Sequence, residues 1–184
     1  LVLVDKEGLP VRRAMSYMDQ RARKELKENM AYGLKVAGGN VVKLLKSLAI
    51  TKAAPLSVKD PVYKYLWVKN NEPEKFKRVY KWLDVKEALI ARMTGEFIMT
   101  QDSAFGTLLY DVREGKQGWS REMCKMLGVD MNHLAKIIRS TDKVGGLTAK
   151  AAEELGLKEG TAVFGGGGDA TLIGVGAGAV GLGQ

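Results

Sequence analysis

The sequence predicts an α/β fold, and three observations carry that reading. The chain opens on a continuous apolar β-type run at residues 1–4. Apolar residues then recur at helical intervals through its middle, as at Phe76, Val79, Tyr80 and Leu83. Near the end a second β-type run, 161–164, feeds four glycines, Asp169 and an apolar Gly/Ala segment to Leu182 that reads as a helix. With 184 residues and a 46% hydrophobic fraction, the chain is long enough for one domain with a sizeable core.

After 1–4, Asp5-Lys6-Glu7-Gly8 reads as a turn and 11–16 as the return strand. Tyr17-Met18-Asp19-Gln20-Arg21 follows, with Asp19 expected to cap a helix over 21–36 that stops at Gly38-Gly39. Residues 41–50 read as a short helix, and 51–60, containing Pro55 and Asp60 before Pro61, as loop. A helix over 62–69 ends at Asn70-Asn71-Glu72, and Pro73 suits the first turn of the next, whose apolar face runs to Leu83. Residues 85–93 form another helix, closed by Thr94-Gly95, and 97–100 a strand leading into a loop at 102–107. In that loop Asp102 reads first as a turn-stabilising carboxylate, with a part in orienting a pocket as the other reading. Ser120 caps a helix over 121–127 with Gly128 as its stop, and His133 falls in a polar, surface-like helix. Trp67, Trp82 and Cys124 are assigned to the core.

Composition excludes several function classes. A single cysteine allows no internal disulfide and fits a reducing, cytoplasmic setting; with a single histidine it also excludes a His/Cys zinc cage. The formal charge of +8 (29 Lys and Arg, 21 Asp and Glu) is interleaved, as in Arg23-Lys24-Glu25, and reads as solvated helix faces, not as a nucleic-acid site. Asp169 and the glycines interrupt the apolar stretch 162–182, which argues for a buried soluble element and against a membrane span. No cleavable signal and no Gly-x-x-x-x-Gly-Lys-Ser/Thr loop is present.

The chemistry centres on Gly165-Gly166-Gly167-Gly168-Asp169-Ala170. Consecutive glycines cost backbone entropy and suit places where something approaches the main chain closely. Asp169 at a helix start lies where backbone N–H groups and the helix dipole favour negative charge. A carboxylate so presented suits a general base acting on a hydroxyl beside a phosphate. An ordinary N-cap aspartate behind a flexible turn is the alternative.

Six stretches in order, namely 17–21, 65–74, Arg92-Met93-Thr94-Gly95-Glu96, Asp102-Ser103-Ala104, Trp119-Ser120 and 165–170, resemble the FGGY carbohydrate kinases, and the branch they most resemble is that of the xylulose kinases. The resemblance implies a ribonuclease-H-like (actin-like ATPase) domain, a mixed sheet flanked by helices, truncated at its N-terminal hairpin. Residues 1–184 would be a partial N-terminal, sugar-binding domain, and the ATP-binding C-terminal domain would be absent, leaving these residues alone inactive. It also implies transfer of a phosphoryl group from Mg-ATP to a sugar or polyol hydroxyl, with Asp169 as catalytic base and no metal held by protein ligands. Tyr17 takes the place of a family tryptophan that lines the sugar pocket, with Asp19 and Arg21 holding its loop; a core Tyr17 and a merely capping Asp19 is the plainer alternative. Gly168 and Ala170 would face the sugar, and Gly165, Gly166 and Gly167 the phosphate. Family members often carry a further aromatic contact near Asp60 and Tyr63, between which the sequence does not choose. Ala170 departs from the Asn or Gln usual at its position and offers the sugar no hydrogen bond. The implied partners are the sugar, ATP and the missing second domain, with neither nucleic acid nor membrane and with pairing of two copies left open. A non-catalytic regulatory relative is one alternative. A Rossmann-type nucleotide-binding domain is another, although its fingerprint belongs near the start of a βαβ unit, not at the chain's end.

Overall fold

The computed structural model describes residues 1–181, so the expected run to Leu182 ends outside the described residues. In chain order the elements are β1 (Val2–Val4), α1 (Arg23–Met30), β2 (Lys35–Val36), β3 (Gly39–Asn40), α2 (Val41–Thr51), α3 (Pro61–Asn71), α4 (Pro73–Phe76) and β4 (Lys81–Leu83). They continue with α5 (Val85–Thr94), β5 (Ile98–Thr100), α6 (Gln101–Gly106), β6 (Tyr110–Asp111), β7 (Gly118–Trp119) and α7 (Arg121–Leu127). A 3-10 turn at Met131–His133 precedes β8 (Lys136–Ile138), β9 (Lys143–Gly146), α8 (Ala149–Leu155), β10 (Ala162–Phe164) and α9 (Asp169–Gly176).

Among the described residues the strands pair into five two-stranded sheets, four antiparallel and one parallel, so the helices and small sheets are those of an α/β domain without one continuous mixed sheet. β1 lies antiparallel to β4, with Leu3 opposite Trp82, and Val4 also bridges to Pro10. Trp82 bridges in parallel to Leu134, and β8, which begins two residues on, runs parallel to β5 with Thr100 opposite Ile138. β1 and β5 are buried at every residue and β4 at Trp82 and Leu83, so apolar residues follow one another in them without alternation apart from Lys81 at the start of β4 and Thr100 at the end of β5. Leu3, Val4, Trp82, Leu83 and Met99 form the core with Tyr63 and Tyr65 of α3 and Met123 and Leu127 of α7. Helix α5 packs against β1, β4 and β5 and also against β9, β10 and α8, so it ties the core to the strand that enters the glycine run.

Local chemistry set the helix ends well. Ser120 accepts the Met123 N–H and caps α7, and Gly95 and Gly128 take left-handed conformations that stop α5 and α7. Pro61 and Pro73 sit in first turns, and Cys124 and Trp82 are buried.

Five expectations are corrected. Residues 11–16 form no regular strand: the chain bends at Val11 and Arg12, and the segment meets the start of the chain through the N–H groups of Val11 and Met15, on Leu3 and Leu1, and through the Leu1 ammonium on the Met15 carbonyl. The helix expected over 21–36 is confined to α1, and Ala22, not Asp19, occupies its N-cap position; Ala37 and Gly38 at positive φ turn the chain into the β2–β3 hairpin. The helical spacing from Phe76 to Leu83 is broken after Phe76, because Lys81, Trp82 and Leu83 pair with β1. Residues 101–106 are a helix, not loop. His133 lies in the 3-10 turn, half-buried, and its Nδ1 is 2.8 Å from the Tyr65 hydroxyl. No helix among the described residues is long and apolar enough to cross a membrane.

Candidate functional site

Strand β10 delivers the chain to residues 165–168, and α9 begins at Asp169 with Gly168 as its N-cap residue. Asp169 is exposed, and its Oδ1 accepts the N–H of Ala170 at 2.9 Å. It lines a cleft of about 1030 Å³ together with Tyr17, Lys59, Lys64, Lys86 and Gly168. A hollow of about 220 Å³ adjoins it, sharing Asp84, Ser103, Gly168 and Asp169 and adding Ala170 and Asp102. The structure therefore brings Tyr17, Gly167, Gly168 and Asp169 to one cleft, with Ala170 beside it. Gly167 to Ala170 are consecutive, and it is the approach of Tyr17, 150 positions before Gly167, that the fold supplies.

The turn bearing Tyr17 is held from below. Lys64 of α3 is buried, and its ammonium donates to the carbonyls of Ser16 (2.8 Å) and Tyr17 (3.1 Å). Burial lowers the Lys64 pKa, and the carboxylates of Asp19, Asp60 and Asp84 oppose that shift. Tyr17 itself is 76% exposed, so it is a wall of the cleft and not a core residue. Asp19 and Arg21 do not line the cleft. Instead Asp19 accepts the Arg21 N–H and pairs with its guanidinium at 2.9 Å, while that guanidinium lies 4.9 Å from the centre of the Trp67 ring. Burial opposes ionisation of Asp19, but the hydrogen bonds and charge of Arg21 prevail and hold its pKa low. Trp67 is thus a half-buried cation–π partner, not wholly core.

Neither candidate for the additional contact lines the cleft. Tyr63 is fully buried with its hydroxyl on the Pro55 carbonyl, and Asp60 accepts the Ser57 N–H; Lys59 and Pro61 reach the cleft between them.

The glycines divide by role. A Cβ on Gly165 would stand 2.9 Å from Thr100 Cγ2 and 3.0 Å from the Arg139 carbonyl, so close packing demands glycine there. Gly166 has φ of +66°, and its carbonyl accepts from Lys86 Nζ at 3.0 Å. Gly167 and Gly168 line the cleft.

Of two residues beside the glycine turn, Lys86 escaped the sequence reading, and Asp102 was given first to a turn and only second to orienting the pocket. In the structure Asp102 Oδ2 accepts the N–H of Gly168 at 2.5 Å. Burial works against its charge, but the Thr100 hydroxyl, the Gly168 N–H and the Lys86 ammonium together keep its pKa below the usual carboxylate range. Lys86, taken as ordinary helix, also donates to Thr100 Oγ1 (2.6 Å) and lies 3.3 Å from the fully buried Glu87 and 3.6 Å from Asp102. The available signal was a lysine and an acid side by side on a helix whose other residues are largely apolar. Among the described residues no three His, Cys, Asp or Glu side chains gather to hold a metal ion.

Residues 1–176 match the N-terminal domain of the FGGY family of carbohydrate kinases. The chain is 30% identical over 167 residues to a xylulose kinase of Staphylococcus xylosus, spanning 91% of this chain and 32% of that protein. It is 32% identical to a xylulose kinase of Lactococcus lactis, covering 96% of this chain and 33% of that one. It thus spans about a third of the length of these curated relatives. A ligand-bound xylulose kinase from Lactobacillus acidophilus superposes with a TM-score of 0.78 at 22% identity, over 97% of this chain and 34% of that one. Plasmodium falciparum glycerol kinase with ADP superposes with the same score at 19% identity, over 95% and 33% of the two chains. These likenesses establish the fold, that of sugar kinases of the actin-like ATPase class. The family match over nearly the whole chain, on the fold and cleft described above, shows that this chain belongs to the FGGY family of carbohydrate kinases.

Proposed function

We propose that this chain supplies the sugar-binding part of an enzyme that transfers the γ-phosphoryl group of Mg-ATP to a hydroxyl of a sugar or polyol. The observation that carries the reading is Asp169, exposed at the start of α9, in a cleft walled by Tyr17 and floored by glycine backbone. The Asp169 carboxylate takes the proton of the attacking hydroxyl as its oxygen bonds to the γ-phosphorus and the bond to ADP breaks. Tyr17 gives the sugar ring a flat apolar surface, and Gly167 and Gly168 let the hydroxyl approach without side-chain obstruction. ATP brings the transferable group, and Mg²⁺ would travel with it and neutralise the charge that develops on the phosphate oxygens.

These residues span about a third of the length of the curated relatives, and we assign most of the ATP site to a second domain outside them, so that the 184 residues by themselves should not turn over. Closure of the two parts over the cleft would exclude water. A cytoplasmic setting fits the single buried thiol of Cys124. The family match displaces the Rossmann-type alternative. A sugar-binding regulatory relative remains the second reading, favoured by Ala170, which puts a methyl group where relatives of this class usually place an amide.

The test is ADP release by the full-length protein with Mg-ATP and a panel of ketopentoses, polyols and aldonates. Release that depends on one sugar supports the kinase and names its substrate. A folded, ATP-binding protein that is silent on every sugar supports the regulatory reading.

A further inference from the structure

We propose that Lys86 and Asp102 are positioning residues that grip the glycine turn at both ends and so set where Asp169 stands in the cleft. The proposal rests on the kinase reading above for its catalytic consequence, and on geometry alone for the grip.

The two contacts bracket Gly167. On one side Lys86 Nζ donates to the Gly166 carbonyl at 3.0 Å, and on the other Asp102 Oδ2 accepts the Gly168 N–H. Both side chains come from elements anchored in the core, α5 and α6, whereas the turn they hold follows β10 at the margin. They also pair with each other at 3.6 Å, so the two ends of the grip are one unit. Beneath them Thr100 Oγ1 lies within hydrogen-bond distance of Lys86 Nζ, Asp102 Oδ1 and Glu87 Oε1, which orients all three. Two further bonds, from Gly165 N–H to Asp142 and from Gly166 N–H to Ser140, fasten the entry of the turn but not its exit. Beyond Gly167, the Asp102 carboxylate holds the Gly167–Gly168 peptide, one peptide unit before that of Asp169.

Glycine backbone has no side chain of its own to fix its conformation. A base displaced by about 1 Å loses about 10²-fold in rate. A charged acceptor is stronger than a neutral one and suits a bond that must fix a flexible turn.

The experiment uses the full-length protein and Asp102→Ala, Asp102→Asn and the charge-balanced double variant Lys86→Met with Glu87→Gln. Two quantities are read: amide hydrogen exchange across residues 166–170 against that of α3, and kcat and KM for the best sugar of the panel. The proposal expects Asp102→Ala and the double variant to speed exchange at 166–170 by about tenfold or more with α3 unchanged. It expects kcat to fall by about 10²-fold and KM for the sugar by comparison to stay nearly fixed. Asp102→Asn, which keeps an acceptor for Gly168, should recover part of both. Unchanged exchange at 166–170, acceleration throughout the domain, or a KM effect with kcat intact would each overturn it. If Asp102→Ala does not fold, Asp102→Asn and the double variant give the same readings. If the wild type phosphorylates no sugar, the kinase reading fails while exchange still decides the grip.

Discussion

The carboxylate of Asp102 accepts the backbone N–H of Gly168 from 66 positions earlier in the chain, immediately before Asp169. This contact makes the glycine turn a held structure, and it has a pH signature. The Asp102 pKa lies below its ordinary value in the fold, so its ion favours the folded state above the unfolded pKa of about 4. That contribution drains away as pH falls through this value towards the folded one. In urea unfolding, the stability difference between wild type and Asp102→Asn should therefore be largest near neutral pH and shrink below about pH 4. A difference that is constant with pH would deny the ion its role.

Gly165 and Gly174 should respond in opposite directions to the same substitution. A Cβ on Gly165 would meet Thr100 and the Arg139 carbonyl, and Gly165→Ala should cost about 1–3 kcal/mol. Nothing lies within 4 Å of a Cβ on Gly174, inside α9, so Gly174→Ala should stabilise by about 0.5–1 kcal/mol. Denaturant midpoints of the two variants decide this directly.

Tyr17 walls the cleft with its ring exposed, so Tyr17→Ala should raise KM for the sugar by several-fold and leave the folding midpoint unchanged. Tyr17→Phe keeps the flat surface and should stay close to wild type. Equal loss in both variants would shift the role from ring to hydroxyl.

Ala170 lines the hollow beside Asp169 without a hydrogen-bonding side chain. Installing one with Ala170→Asn should improve turnover of xylulose relative to other panel sugars, by the worth of a hydrogen bond of about 0.5–1.5 kcal/mol. Sugar-by-sugar comparison of kcat/KM reads this, and an unchanged ranking would remove Ala170 from specificity.

What the sequence disclosed and what it hid follow a physical division. The ends of α5 and α7 were legible because Ser120, Gly95 and Gly128 act on their own backbone neighbours. Residues 81–83 were misread because pairing with β1, a partner about eighty positions away, overrode a spacing that also suits a helix. The cleft divides in the same way. Asp169 and Gly168 stand in a local strand–glycine–helix pattern, and Tyr17 in a resemblance motif, so each was legible. Lys86 was not, and Asp102 only as a secondary reading, because their contacts with Gly166 and Gly168 are ones that only the folded chain makes. Asp19 and Arg21 were read as holding the loop of Tyr17, and they pair with each other there without lining the cleft.

The central claim is that Asp169 is the base for sugar phosphorylation. Its most direct test is single-turnover phosphoryl transfer from Mg-ATP to the best panel sugar, comparing full-length wild type with Asp169→Asn at matched ATP and sugar occupancy. The account predicts loss of transfer by about 10²-fold or more with both ligands still bound. Transfer at the wild-type rate in Asp169→Asn would contradict it and move the base elsewhere.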